Sequence, residues 1–161
     1  MSDLICDTSP LQYLHQVGLL HILPALADGV IVPQAVQQEI EIGLKRGVNL
    51  PKLEELDWLE VRLPQTAAAV PLISDLGPGE VQVLMLALEL PGAIAVLDDG
   101  LARSVAEMLD LPMTGTLGLL LDAKRANLVP TVGPVLDQLE ALRFRLASDT
   151  RATVLKMAGE A

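Results

Sequence analysis

The feature that most constrains this chain is the run Ala93-Ile94-Ala95-Val96-Leu97, which ends abruptly in Asp98-Asp99. A continuous apolar run of strand length predicts a strand buried on both faces, the habit of a parallel sheet covered by helices. Ligands of such sheets sit in the crevice beyond the carboxyl ends of the strands. Two adjacent acids at such an end therefore stand where chemistry would be placed, and other acids reach the same rim.

Leu4 to Cys6 form a second apolar run, stopped by Asp7. Thr8, Ser9 and Pro10 then read as a helix start, with Ser9 as N-cap and Pro10 at the first helical position. Leu19 to Leu26 predicts a short helix broken at Pro24. Gly29 to Val32 reads as a strand halted by Pro33, which opens a helix from Gln34 to Leu44 with Glu39 in its second turn. Lys45 to Leu56 reads as a connecting helix or loop. Trp58 to Leu63 alternates apolar with charged residues, the pattern of an edge strand with one wet face, and the Ala-rich stretch from Gln65 to Ile73 takes no assignment.

Leu76-Gly77-Pro78-Gly79-Glu80 is a turn feeding a helix from Val81 to Leu90. Glu80 stands at its first turn, where the helix dipole favours negative charge. Beyond the central strand come a helix from Leu101 to Leu109 with Arg103 on an early turn, a fifth strand from Leu111 to Thr114, and a helix from Thr116 to Ala126. Pro134 to Ala161 reads as two amphipathic helices around Arg143, Arg145 and Arg151. Strands alternating with helices argue for an α/β sandwich with a parallel sheet.

The 161 residues suffice for one domain spanning the chain, with 134–161 as C-terminal helices packed on it. Aromatic residues are only 2% of the chain, so Leu, Val, Ile and Ala must do the packing. No apolar run approaches the roughly 20 residues of a membrane helix. The start, Met1-Ser2-Asp3-Leu4, lacks the pattern of a secretion signal. The single cysteine, Cys6, allows no internal disulfide, so a cytoplasmic protein without membrane contact is expected. His15 and His21 have no second ligand at metal spacing and read as structural. The net charge of −10 runs against nucleic-acid binding, which calls for basic excess. A cluster of site carboxylates neutralised by a metal accounts for part of it.

Asp7, Glu39, Glu80 and the pair Asp98/Asp99 thus fall at strand ends or in the early turns that follow. Each alone also reads as a cap, a turn residue or a dipole-favoured acid. Together on one rim they repel one another unless a cation lies between them. Hard oxygen donors favour Mg2+ or Mn2+ over Zn2+. Such a centre suits attack of water on a phosphodiester. The acids also fit a receiver-type pocket or an aspartate-based phosphatase. The latter expects a second Asp where Ser9 stands, and the former a Lys that Thr114-Gly115-Thr116 lacks.

Five stretches together resemble the PIN-domain ribonuclease superfamily over the full chain, most nearly a prokaryotic branch related to the toxins of toxin–antitoxin pairs. They are Asp7-Thr8-Ser9-Pro10-Leu11, Val32-Pro33-Gln34-Ala35-Val36 through Glu39, Leu76 to Glu80, Leu97 to Arg103, and Thr114-Gly115-Thr116-Leu117-Gly118. The resemblance implies a three-layer α/β/α sandwich with a central parallel sheet of about five strands. It also implies a Mg2+- or Mn2+-dependent nuclease acting on single-stranded RNA. Asp7 and Glu39 would be the first two acids, and Glu80 stands where many relatives carry Asp. Asp98 or Asp99 would be the fourth, with Asp99 preferred. Asp7, Glu80, Asp99 and Asp98 would be the metal ligands, supported by Ser9, Arg103, Thr114 and Thr116. Arg103, Lys124 and Arg125 are the candidate phosphate-binding bases. A small antitoxin protein and a homodimer are the partners the resemblance implies besides RNA. A catalytically weak module acting through protein–protein binding is the alternative.

Overall fold

A computed structural model describes residues 1–65 and 75–161. The unassigned stretch from Gln65 to Ile73 lies, Gln65 apart, outside the described residues. Five strands, β1 (Leu4–Cys6), β2 (Val30–Pro33), β3 (Leu59–Arg62), β4 (Ile94–Val96) and β5 (Met113–Thr114), form one sheet in the order β3-β2-β1-β4-β5. All neighbours are parallel, with Leu4 beside Val30 on one flank and Ile94 on the other. The central strand β1 is wholly buried, whereas β3 at the edge exposes Glu60 and Arg62, as its alternation predicts.

The helices are α1 (Thr8–Gln16), α2 (Ile22–Leu26), α3 (Gln34–Lys45), α4 (Pro78–Glu89), α5 (Gly100–Met108), α6 (Thr116–Arg125), α7 (Gly133–Ala141) and α8 (Ser148–Met157). Between α3 and β3 the chain makes one 3-10 turn, Leu53–Glu55. Helix α4 packs over β1, β2 and β4 and against α3 and α5, while α6 packs against α1, α2 and α8. The result is an α/β/α sandwich. Its core is aliphatic, and Val135, Leu136 and Leu139 of α7 and Val154 of α8 belong to the same cluster as the sheet. Among the described residues no helix is long and apolar enough to cross a membrane.

Two helix starts differ from expectation for one reason. Helix α1 begins at Thr8, with Asp7 rather than Ser9 in the cap position and no side-chain cap bond. Pro10 is then its third residue, and Pro24 is the third residue of α2, which runs through it. The first four amides of a helix have no intrahelical acceptor, so a proline among them forfeits nothing.

Helix ends show a common device. After α1, α3, α5, α6, α7 and α8 comes one left-handed residue: Gly18, Gly47, Asp110, Asn127, Arg143 and Gly159. In each case the next amide returns to a carbonyl five residues back, as from Phe144 N to Leu139 O at 3.0 Å. Glycine, and less readily Asn or Asp, accepts this conformation. Arg143, with φ of 69°, is the exception.

The C-terminus is tied down. Lys124 Nζ donates to Ala158 O at 2.6 Å and to Glu160 Oε2 at 2.7 Å. Glu160 also accepts the amides of Val132 and Gly133, at 2.7 and 2.9 Å, which closes the start of α7.

Candidate active site

From β1 the chain runs to β2 and β3 on one side, and it returns to build β4 and β5 on the other. The crevice between the carboxyl ends of β1 and β4 is therefore the switch point of the sheet, where ligands of such folds bind. Asp7 follows β1, and Asp98 and Asp99 follow β4 by two and three residues. The amide of Asp7 donates to Val96 O at 3.2 Å, locking the two strand ends together. Asp7, Glu80, Asp98 and Asp99 line one cavity of about 500 Å3 here, with Ser9 and Tyr13 on its wall.

Asp7 is 5% exposed, the one buried carboxylate of the described chain. Burial, with the added charges of Glu80, Glu39 and Asp98, pushes its pKa from 3.8 to about 7, against the opposing bond from the Thr8 amide. Glu80, on the first turn of α4, is also pushed up, by burial first and then by Asp99 and Glu39. Among the described residues neither carboxylate makes an ion pair, and the amides of Thr8 and Gly77 only partly oppose these shifts.

The other acids are held by donors. Asp98 accepts the Thr116 amide on Oδ1 at 2.8 Å and the Thr116 hydroxyl on Oδ2 at 2.7 Å, with Ser9 Oγ at 3.4 Å from Oδ2. Asp99 caps α5, accepting the Ala102 amide on Oδ2 at 3.0 Å. Glu39 does not line the cavity. Its Oε2 accepts Thr8 Oγ1 at 2.5 Å and its Oε1 accepts the Gly79 amide at 3.1 Å, bracing the first turns of α1 and α4 together. That brace sets Asp7 and Glu80 side by side.

Two glycines of the sequence stretches acquire a reason. A Cβ at Gly79 would lie 2.8 Å from Glu39 Oε1, and one at Gly115 would lie 2.9 Å from both Asp98 Oδ1 and Arg103 Nη1. Arg103 itself donates to Leu97 O at 2.9 Å, fixing the end of β4. With Thr114 it lines an adjoining cavity of about 370 Å3 that also touches Asp98.

Of the three expected phosphate-binding bases, Arg103 thus stands beside Asp98, whereas Lys124 is engaged by Glu160 and Arg125 pairs with Asp122 on the surface. The cations at the acid cavity are instead Arg143 and Arg145, from the connection between α7 and α8. Sequence reading missed them, because a single turn of chain beyond α7 gives no periodic clue to what it faces. The available signal was two arginines flanking the chain's one Phe in a protein of net charge −10.

Among the described residues no group of three or more His, Cys, Asp or Glu side chains is arranged to hold a metal ion as it stands. The donor chemistry nevertheless fits a hard divalent cation. The candidate ligands are carboxylate and hydroxyl oxygens, and the buried Asp7 makes no ion pair among the described residues.

The chain is thus, by class, an α/β/α sandwich with acids at the switch point of its parallel sheet. More narrowly, a family model described as a PIN domain matches residues 3–160, and the chain belongs to that family. No curated protein matches it.

Proposed function

We propose that the protein is a Mg2+- or Mn2+-dependent endoribonuclease that hydrolyses phosphodiester bonds of single-stranded RNA. The observation that carries this reading is the buried Asp7, unbalanced in charge, in one cavity with Glu80, Asp98 and Asp99. Those four residues would hold the cation. When bound, it supplies positive charge to the phosphate and makes a nucleophile of water at neutral pH.

The chain's own residues prepare that site. Ser9 and Thr116 aim Asp98, and the cap bond to Ala102 aims Asp99. Glu39 acts as the brace that keeps Asp7 and Glu80 together. With its pKa raised to about 7, Asp7 keeps a proton on a carboxylate oxygen to far higher pH than an exposed carboxylate does. Proton and cation compete for that oxygen, so activity should rise through pH 7.

The finer reading is the toxin of a toxin–antitoxin pair. It draws, as does a homodimer, on Leu101, Met108 and Leu109, which are exposed on and just after α5. The partner-binding module rests on the same residues. Cleavage of labelled single-stranded RNA in Mn2+ separates the readings. The nuclease predicts a loss of more than about a hundredfold in Asp7→Asn, and equal rates in folded wild type and variant would sink it.

A further inference from the structure

Arg143 is the anomaly of the backbone. Five other helices end in the same left-handed turn, and they use Gly18, Gly47, Asp110, Asn127 and Gly159 there. A long side chain in that conformation costs stability that glycine would recover. The arginine therefore needs a reason outside the turn. Its neighbours supply one, because Arg143 and Arg145 both line the acid cavity.

The segment is held in place by its middle residue. Phe144 sets its ring edge-on to Tyr13 of α1, with centroids 5.0 Å apart and planes at 87°. Arg151 closes the corner from behind, bonding Asp137 at 2.8 Å and Glu140 at 2.6 Å across α7 and α8. The two arginines on either side of Phe144 thus project from an anchored point.

Among the described residues neither guanidinium is engaged. Within that set the side chains of Arg62, Lys124, Arg125 and Arg151 make ion pairs, and Arg103 bonds a carbonyl. The side chains of Arg143 and Arg145 make neither an ion pair nor a hydrogen bond among the described residues, although they share a cavity with four acids. Arg145 and Phe144 also line the adjoining cavity, in which Asp98 is the one acid among the described lining residues. A chain of phosphates entering the acid cavity needs cations at its mouth, and the planar guanidinium suits phosphate oxygens.

We propose that Arg143 and Arg145 are the phosphate-binding arms of the site, gripping the RNA backbone on either side of Phe144. The proposal rests on the nuclease reading for its substrate and not for its test. Binding of a fluorescein-labelled oligouridylate is followed by anisotropy in Mg2+, on an Asp7→Asn background that blocks cleavage. Arg143→Gly and Arg145→Gln should each weaken binding about tenfold, the loss of one charge-assisted contact. The slope of log affinity against log salt should fall by about 0.7 for each arginine removed.

Arg143→Gly also separates function from folding. Relief of the left-handed strain should let it melt no lower than its parent while its RNA affinity drops. Unchanged affinity in both arginine variants, or no binding by the parent, would overturn the arms. Loss of binding in the variants while the wild type fails to cleave in Mn2+ would leave the arms standing and remove the nuclease. Cleavage with KM unmoved by both substitutions would do the reverse.

Discussion

Asp7 and Glu160 are both carboxylates removed from open solvent, and the protein treats them in opposite ways. Asp7, at the switch point, sits among other acids and has its pKa raised to about 7. Glu160, at the far end of the chain, is met by Lys124 and two backbone amides, which lower its pKa to about 2. One group is a source of instability at neutral pH and the other a fastening. An acid left unbalanced beside others is a place for a cation, whereas one matched by donors needs nothing more.

The pH dependence follows with opposite signs. Between about pH 4 and 7 folded Asp7 holds a proton that the unfolded chain has released, so stability falls as pH rises through that window. Folded Glu160 keeps its charge below pH 4.5, where the unfolded carboxylate takes up a proton. Its contribution is full above that point and is lost as pH falls toward 2.

The contrast breaks most sharply at Asp7→Asn. At pH 8 this variant should be more stable than wild type by up to about 4 kcal/mol in urea unfolding, with the gap closing by pH 4. A less stable variant at pH 8 would mean that Asp7 is already compensated. Millimolar Mn2+ should do to wild type what the substitution does. At a hundred times the dissociation constant it adds about 2.7 kcal/mol, seen as a raised melting temperature at pH 8 but not at pH 5. Asp7→Asn should show little of this shift.

Glu160→Gln should lower the melting temperature at pH 7, with the difference from wild type vanishing near pH 2 and RNA cleavage unchanged. A pH-independent loss would show that the amides matter and the charge does not. Asp98 stands between the extremes, a site acid that is already held by donors. Thr116→Val removes one of them from a buried position and should cost about 1.5 kcal/mol in denaturant unfolding.

Much of the fold was legible because strand signals here are local. Leu4 to Cys6 and Ala93 to Leu97 are apolar runs cut off by acids, and a strand that is buried on both faces has to look like that. The rim acids followed from the strand ends. What escaped were relations between distant segments. Periodicity puts Glu39 in the second turn of α3, but its role is set by Thr8 and by the Gly79 amide, forty residues away in sequence. Arg143 and Arg145 gave still less warning, since their position depends on how α7 packs and on an edge contact with Tyr13.

The order of the sheet bears on how the protein comes into being. Its central strand precedes the other four in chain order, yet Leu4 needs both Val30 and Ile94 as neighbours. Closing so long a segment is slow and entropically costly until the later strands exist. The cavity then draws on Asp7 and on Arg145, and Glu160 fastens the start of α7. No short fragment of the chain holds all the parts of the site, whose lining runs from Asp7 to Arg145. The cavity is therefore a late product of folding, since it takes shape only after contacts that span most of the sequence have closed.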